Sequence, residues 1–379
     1  MARTRAAVKW YLETHYGQPG DPGTIDVFCS PSRLGAFAVR RDALLAGDGT
    51  ALFQLLVAIT MFQRRQDVQI TAILRSLGPE QAADLTDQHR LLSLVDASRC
   101  ANIKSVQTLI SSCDLAKHPL TKEGTCASRP DLPCHLKRHT VWMRRYGHFG
   151  KVPTSIALVV REAAADDISD LLGRARASAR GPLARAKAME AALCRCWRIS
   201  DKISAMFLSL ISNPDLTPGA SRWDDVDWRY FVVVDSNVDL FLAALGYRGS
   251  KTYAARRAFI RGLSAQIDLR KMNPRLRRDN PRLVQQAMFL FMSAANRRAL
   301  PSDCMHLRPA SCVRCPEELA ALCPVRDAPL RRRLPVLGSA PEHPHGDAAG
   351  AALPSDHSAE SRAASARTRR ACSGDAAGR

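Results

Sequence analysis

Residues 304–323 read CMHLRPASCVRCPEELAALC, a stretch that holds four of the chain's cysteines. Its four cysteines have the spacing Cys304-x7-Cys312-x2-Cys315-x7-Cys323. Four thiolates can complete a tetrahedral shell around zinc or give one ligand to each iron of a cubane cluster. Zinc sites commonly use two short C-x2-C pairs, whereas this stretch has one short pair between two longer loops. The spacing therefore favours an iron–sulfur cluster, with zinc as the alternative.

The remaining cysteines are scattered, and the chain has twelve in 379 residues. The first residues, Met1–Leu12, are basic and lack the apolar centre of a signal peptide. No uninterrupted apolar stretch approaches the roughly 20 residues that span a bilayer. These features argue against a disulfide scaffold and predict a cytoplasmic protein that does not cross a membrane.

The chain is strongly basic, with 55 Lys and Arg residues against 36 Asp and Glu and a formal net charge of +19. Such an excess is typical of proteins that bind nucleic acid or an anionic membrane surface, and without a membrane segment nucleic acid is favoured. Residues 325–379 show no apolar period and predict a disordered tail. This tail holds nine Arg and six acidic residues, so most of the excess charge belongs to the body of the protein.

Largely apolar residues recur at i, i+3, i+4 and i+7 in four segments, which is the period of an amphipathic helix. These segments begin at Phe53, Ile203, Val238 and Val284. Only Tyr230–Val234 is a strand-like run, and it is short enough to be a buried loop that leads into a helix. The sequence therefore predicts an all-α fold.

The chain divides into three predicted regions. A helical body covers residues 1–300 and contains irregular insertions near 113–155 and 213–227, where prolines interrupt the helical pattern. The cysteine stretch forms a loop over residues 301–324, and the tail follows at 325–379.

Two short segments of the body carry candidate chemistry. Residues 200–205 read SDKISA and place Lys202 at the start of an apolar helix face, whereas residues 234–238 read VDSNV and place Asp235 before the next helix. Together with the cysteine stretch, they resemble the endonuclease III and adenine glycosylase branch of the helix-hairpin-helix DNA glycosylase superfamily. The corresponding family segments are Gly-Arg-Lys-Thr-Ala and Val-Asp-Thr-His-Val.

The resemblance implies a helix-hairpin-helix glycosylase fold that is closed by a [4Fe-4S] loop, with the four cysteines as cluster ligands. It also implies an enzyme of base-excision repair, which removes a damaged or mispaired base from duplex DNA. Lys202 would supply AP lyase activity through a Schiff base, and Asp235 would be its catalytic partner.

Each of these two residues has a chemical reason to act and also a plainer interpretation. A lysine attacks a sugar carbon as an uncharged amine, which requires burial or neighbouring cations to lower its pKa from about 10.4. Arg195 and Arg198 are near Lys202 in sequence, and Asp235 could accept the amine proton and stabilise an oxocarbenium-like sugar. Taken alone, however, an Asp before a helix is usually its N-cap, and a Lys at a helix start is usually a solvated charge.

The resemblance extends to a helix that ends near residue 63, where the family carries a glutamine that fills the gap left by a flipped nucleotide. Gln63 and Gln66 are both candidates for that role, and Arg64 and Arg65 would contact phosphates.

In the hairpin turn the chain departs from the family pattern, because residues 196–200 read CWRIS and contain no glycine. Contacts to a phosphate would then come from Arg198, the Ser200 hydroxyl or the helix N-terminus. Further basic runs at 256–257, 275–278 and 297–298 predict a distributed surface that faces phosphates.

Two other classes of protein remain open: a non-catalytic DNA-binding protein of the same fold with a structural metal cluster, and a zinc-stabilised nucleic-acid-binding module. A second metal site built from Cys113, Cys126, Cys134 and His135 is also open, against an irregular loop with buried cysteines. We expect a monomer that is associated with the nucleoid and has double-stranded DNA as its partner.

Overall fold

The computed structural model describes residues 1–18, 21, 23–62, 67–97, 103–113, 115–117, 124–126, 151–218, 223–293 and 315–323. The predicted disordered tail over 325–379 lies outside the described residues.

The described part of the chain is mainly helical, in agreement with the predicted all-α class. Its helices are α1 (Ala2–Thr14), α2 (Asp26–Cys29), α3 (Pro31–Leu34), α4 (Arg41–Ala46), α5 (Gly49–Met61), α6 (Asp67–Arg75), α7 (Pro79–Thr86), α8 (Gln88–Ala97), α9 (Val106–Ser112), α10 (Lys151–Glu162), α11 (Ile168–Ala177), α12 (Pro182–Cys194), α13 (Asp201–Ser212), α14 (Ser236–Ala244), α15 (Tyr253–Ala265), α16 (Pro281–Met292) and α17 (Glu317–Ala320). Single turns of 3₁₀ helix cover Gly35–Phe37, Trp228–Tyr230 and Leu269–Lys271.

One small antiparallel sheet lies between α9 and α10. It pairs β1 (Leu115–Lys117) with β2 (Gly124–Cys126), and Ala116 stands opposite Thr125. No described helix has the length and the apolar character needed to cross a membrane.

Helix α5 lies at the centre of the fold and is buried on nearly every side. Phe53, Leu55, Leu56 and Val57 are fully buried, and the helix packs against α4, α7, α10, α11 and α13. Asp48 caps it by accepting a hydrogen bond from the amide of Ala51 at 2.8 Å. A helix with apolar side chains all round its axis is one that other helices surround, which explains its position.

The four helical periods read from the sequence are confirmed, since they fall in α5, α13, α14 and α16. The run that precedes α14 is confirmed as a buried loop, because residues 231–234 are buried and have no regular secondary structure. Helix α10 differs from expectation, since it begins at Lys151 inside the stretch 113–155 that was expected to be irregular. Pro153 is tolerated there because amides of a first helical turn have no intrahelical acceptor.

The first helix packs against the last two described helices, α16 and α17. Tyr11 is fully buried in this contact region, and the ring of Trp10 meets the ring of Phe291 edge-on at 5.4 Å between centroids. Leu319 of α17 is also buried. The segment that carries Cys315 and Cys323 is therefore attached to the core through apolar contacts.

Candidate active site

Helices α12 and α13 pack against each other and are joined by a six-residue turn, residues 195–200. Cys196 and Ile199 are buried and fix the turn to the core. The amide of Trp197 donates a hydrogen bond to the Ser155 hydroxyl on α10 at 3.0 Å. The turn is thus anchored from two sides, and it places Lys202 in the first turn of α13.

Arg198 occupies the left-handed region of backbone space, with φ of 60°. Glycine adopts this conformation without steric cost, whereas a residue with a Cβ does not. The turn therefore has a backbone conformation that glycine adopts readily, although an arginine stands there. The Arg198 guanidinium lies 4.9 Å from the centre of the Trp197 ring, which is within cation–π distance.

The other polar groups of the turn have separate roles. Arg195 forms an ion pair with Glu162 at 3.2 Å. Ser200 is the N-cap residue of α13 by position, but its side chain makes no capping hydrogen bond. Its hydroxyl is therefore not committed to closing the first turn of the helix.

Asp235 is the N-cap of α14, because its carboxylate accepts a hydrogen bond from the amide of Val238 at 2.9 Å. The prediction that Asp235 caps a helix is thus confirmed. Burial raises the pKa of Asp235, and the positive charge of Lys202 and two helix amides act in the opposite direction. Although they are 33 positions apart in sequence, Lys202 and Asp235 lie close enough to interact electrostatically.

A tyrosine on α15 holds the extended segment that leads to Asp235. The Tyr253 hydroxyl donates to the carbonyl of Val232 at 2.8 Å and accepts from the amide of Val234 at 3.2 Å. This segment belongs to no sheet, so its backbone groups need such a partner inside the core. Tyr253 therefore fixes the backbone directly before Asp235.

A buried ion pair ties α12 to α15 beside the same segment. Arg257 makes two hydrogen bonds to the carboxylate of Glu190, at 2.7 and 3.0 Å, and the Tyr230 hydroxyl donates a third at 2.8 Å. The Arg257 guanidinium also lies 4.1 Å from the Tyr230 ring centre and 4.9 Å from that of Tyr253. Sequence reasoning missed this pair, because no local pattern connects positions 190 and 257.

A second buried cation, Arg282, ties α16 to α13. Its Nε donates to the Ser209 hydroxyl at 3.2 Å, and its Nη1 donates to the side-chain carbonyls of Gln285 and Gln286 at 2.6 and 2.5 Å. Burial lowers the pKa of Arg282, whereas Tyr11, Asp21 and, to a smaller extent, Asp235 act in the opposite direction. Arg282 is thus a buried cation within electrostatic range of Asp235, while the pKa of Asp235 itself responds chiefly to burial and to Lys202.

Several predicted site residues lie outside the described part of the chain. Gln63, Arg64 and Arg65 follow the end of α5, and Cys304 and Cys312 precede α17. The structure therefore gives no position for these predicted DNA contacts or for half of the predicted metal ligands.

The two described cysteines of the predicted cluster, Cys315 and Cys323, stand on either side of α17. Both are half-buried, and both pack at the edge of the hydrophobic core. Among the described residues no group of three or more His, Cys, Asp or Glu side chains is arranged to hold a metal ion. Two cysteine side chains on one anchored segment fit half of the donor set of a four-cysteine site.

The candidate second metal site is described only in part. Cys113 is half-buried, and its backbone carbonyl accepts a hydrogen bond from the Lys151 ammonium group. Cys126 ends β2, and Cys134 and His135 lie outside the described residues.

The chain matches no protein-family model, no curated protein and no solved structure.

Proposed function

We propose that the protein is a DNA glycosylase of base-excision repair that removes a damaged or mispaired base from duplex DNA and has AP lyase activity. The observation that carries this proposal is that Lys202, in the first turn of α13, lies within electrostatic range of Asp235, the N-cap of α14. The turn of α12 and α13, with Arg198 in the left-handed conformation, and the two half-buried cysteines around α17 add support. The finer fold assignment, a helix-hairpin-helix glycosylase, is part of the same proposal.

In the proposed reaction, Lys202 attacks C1′ of the target nucleotide as an uncharged amine. The glycosidic bond breaks, its electron pair leaves with the base, and the amine proton passes to the carboxylate of Asp235. The sugar ring then opens as its oxygen takes up a proton, which leaves a Schiff base between Nζ and C1′. Loss of a proton from C2′ expels the 3′ phosphate, and water hydrolyses the Schiff base to free Lys202.

The environment of Asp235 suits this role. A carboxylate that is partly withdrawn from water interacts more strongly with a developing positive charge on a sugar than a solvated one does. The Val238 amide and the Lys202 side chain oppose the effect of burial, so they favour the charged carboxylate that the reaction needs.

Cys304, Cys312, Cys315 and Cys323 would hold a [4Fe-4S] cluster, or zinc in the alternative. When bound, the group would act as a structural cross-link within residues 304–323. The chain's own contribution is the anchoring of this segment by Leu319 and Leu322, which are buried in the core.

A non-catalytic DNA-binding protein of the same fold is the second candidate. One observation favours it: the capping of α14 accounts for Asp235 without any catalytic duty. The two candidates bind DNA alike but differ in the covalent step.

Borohydride trapping on duplex DNA with a single abasic site separates the two candidates. The full chain should form a covalent adduct, and Lys202→Ala should not. Lys187→Ala is the matched control, because Lys187 is an exposed lysine on the neighbouring helix α12. Tight binding of the duplex without an adduct and without base release from any of a panel of single-lesion duplexes would exclude the glycosylase.

A further inference from the structure

The segment between α15 and α16, residues 269–279, forms a compact loop that we call the basic loop; its sequence is LRKMNPRLRRD. The amide of Leu269 donates to the carbonyl of Arg278 at 3.0 Å, which closes the loop at its base. Leu269 and Leu276 are buried beneath it. The loop is therefore held in one shape by its own backbone and by two apolar anchors.

A buried polar network fixes the basic loop to the end of α13. Asn280 and Asn213 exchange two side-chain hydrogen bonds of 3.0 Å each, and Asn280 also donates to Asp215 at 2.7 Å. Asp215 in turn accepts the backbone amide of Arg277 at 3.3 Å. Arg277 is thus held by its backbone in this network, which leaves its side chain exposed.

Five cations are exposed on this loop within nine positions: Arg270, Lys271, Arg275, Arg277 and Arg278. Asp268 pairs with Arg270 and has a weaker electrostatic contact with Arg278. Lys271, Arg275 and Arg277 form no ion pair with any residue that the structure describes, although Arg277 interacts electrostatically with Asp215. The exposed cations of the loop repel one another, and a bound polyanion would relieve this repulsion.

The composition of the loop distinguishes among polyanions. Four of its five cations are arginines, whose planar guanidinium groups match phosphate oxygens in a bidentate manner. The loop contains no aromatic residue on which an unpaired base could stack. Its leucines are buried and Met272 is half-buried, so it presents no large exposed apolar side chain for insertion into a bilayer.

We propose that the basic loop is a second DNA-contact surface, which binds the phosphate backbone of duplex DNA apart from the nucleotide at Lys202. The position of the basic loop relative to a target nucleotide rests on the proposed function, in which Lys202 attacks that nucleotide. Lys202 and the attachment of the loop at Asn213 stand at opposite ends of α13, about 16 Å apart along the helix axis. The contacted phosphates therefore lie away from the target nucleotide itself.

The salt dependence of binding tests the surface without any catalysis. In the full chain, Lys271→Gln, Arg275→Gln and Arg277→Gln are combined, and affinity for an undamaged, fluorescein-labelled 20-base-pair duplex is measured from 50 to 200 mM salt. Each phosphate contact contributes about 0.9 to the slope of log affinity against log salt, so we expect the slope to fall by about 2 to 3. The matched control combines Arg75→Gln, Lys104→Gln and Lys187→Gln, which change the same charge at exposed positions elsewhere.

The outcomes separate this proposal from the proposed function. A slope that is reduced no more in the loop variant than in the control overturns the basic loop as a DNA surface, even if trapping and base release persist. A reduced slope in a protein that neither traps nor releases a base supports the loop and rejects the glycosylase. Loss of binding to phosphatidylserine vesicles with an unchanged DNA slope would instead assign the loop to a membrane.

Phosphate ethylation interference on a duplex with a tetrahydrofuran abasic analogue tests the position. Interference at phosphates that are not adjacent to the analogue should be present with the wild-type chain and absent with the loop variant. Interference confined to the phosphates next to the analogue in both proteins would contradict a second contact surface.

Discussion

Glu190 and Arg257 form a buried bidentate ion pair, with their two hydrogen bonds at 2.7 and 3.0 Å. Both side chains are almost fully withdrawn from water. The pair joins α12, the first helix of the candidate hairpin, to α15, whose Tyr253 positions the segment leading to Asp235. The geometry of the candidate site therefore depends on a contact that takes no part in the chemistry.

Removing one partner of this pair should be much worse than removing both. Arg257→Met leaves a buried carboxylate without its cation, so we expect a loss of about 3 to 5 kcal/mol in the free energy of unfolding, measured by urea denaturation. The double variant Glu190→Gln, Arg257→Met should recover much of that loss. Arg174→Met, which removes an exposed pair with Asp170, should change stability little. Equal losses in the single and double variants would contradict the account.

The two roles of Asp235 can be separated by substitution. Asp235→Asn keeps a side-chain acceptor for the Val238 amide, whereas Asp235→Ala removes it and should cost about 1 kcal/mol in unfolding free energy. Both variants should lose base release and trapping. An Asp235→Asn protein with full activity would show that the residue serves only as a cap.

The charge of Lys202 should be visible in the titration of Asp235. Because that charge lowers the pKa of Asp235, Lys202→Gln should move this pKa upward, as measured by carbon-13 NMR of the labelled carboxyl group. Lys187→Gln should leave it unchanged. If Lys202→Gln leaves the pKa of Asp235 where it was, the two residues are not coupled and the proposed pair is wrong.

The activity should fall on the acid side at a higher pH than an ordinary aspartate would give. Burial raises the pKa of Asp235 in the folded protein, and only the ionised carboxylate can accept the proton from Lys202. As the pH falls through this raised pKa, the carboxylate becomes protonated and single-turnover base release declines. The free energy of unfolding responds in the opposite sense. Above its raised pKa the buried charge of Asp235 destabilises the folded protein, and this destabilisation is lost as the pH falls from that pKa towards the pKa of a solvated aspartate. An acid limb at the pKa of a solvated aspartate would contradict the assignment.

The left-handed backbone of Arg198 leads to a prediction that does not depend on the charge of its side chain. Arg198→Gly and Arg198→Ala both remove the guanidinium, but only glycine adopts φ of 60° without steric cost. The glycine variant should therefore be more stable than the alanine variant by about 1 kcal/mol. Their affinities for duplex DNA should fall equally, because the same cation is lost. A more stable alanine variant would show that the turn adopts another conformation.

The cysteine stretch predicts the metal content of the purified protein. Iron and sulfide in comparable amounts, with absorbance near 400 nm, would support the [4Fe-4S] assignment, and stoichiometric zinc would support the alternative. Cys315→Ser or Cys323→Ser should lower the metal content. Cys29→Ser, at a half-buried thiol elsewhere in the fold, should not.

The sequence was sufficient for the elements whose cause is local. Apolar periods located α5, α13, α14 and α16, because burying one face of a helix leaves a repeat of 3.6 residues. The prediction that Asp235 precedes a helix is also confirmed, because the apolar repeat that follows it marks the start of α14. The left-handed backbone of the turn could not be predicted, because arginine rarely adopts the conformation that Arg198 has there.

The contacts that position the site could not be predicted, because they join distant parts of the chain. The Glu190–Arg257 pair, the Tyr253 hydrogen bonds and the Arg282 contacts each depend on how whole helices pack. As a basic run in the sequence, Arg256 and Arg257 together predict a surface that faces phosphates. The structure instead buries Arg257 and leaves Arg256 partly exposed in an ion pair with Asp239. Adjacent helical positions face different directions, so composition alone could not separate the two.

The packing of α1 against α16 has a consequence for synthesis on the ribosome. Residues 2–14 are synthesised before their main partner, residues 281–292, and some 270 residues separate the two segments. Until residues 281–292 are made, the apolar side of α1, including Val8 and Tyr11, lacks the helix against which it packs most extensively. Folding that proceeds along the growing chain can therefore complete this part of the core only late in synthesis.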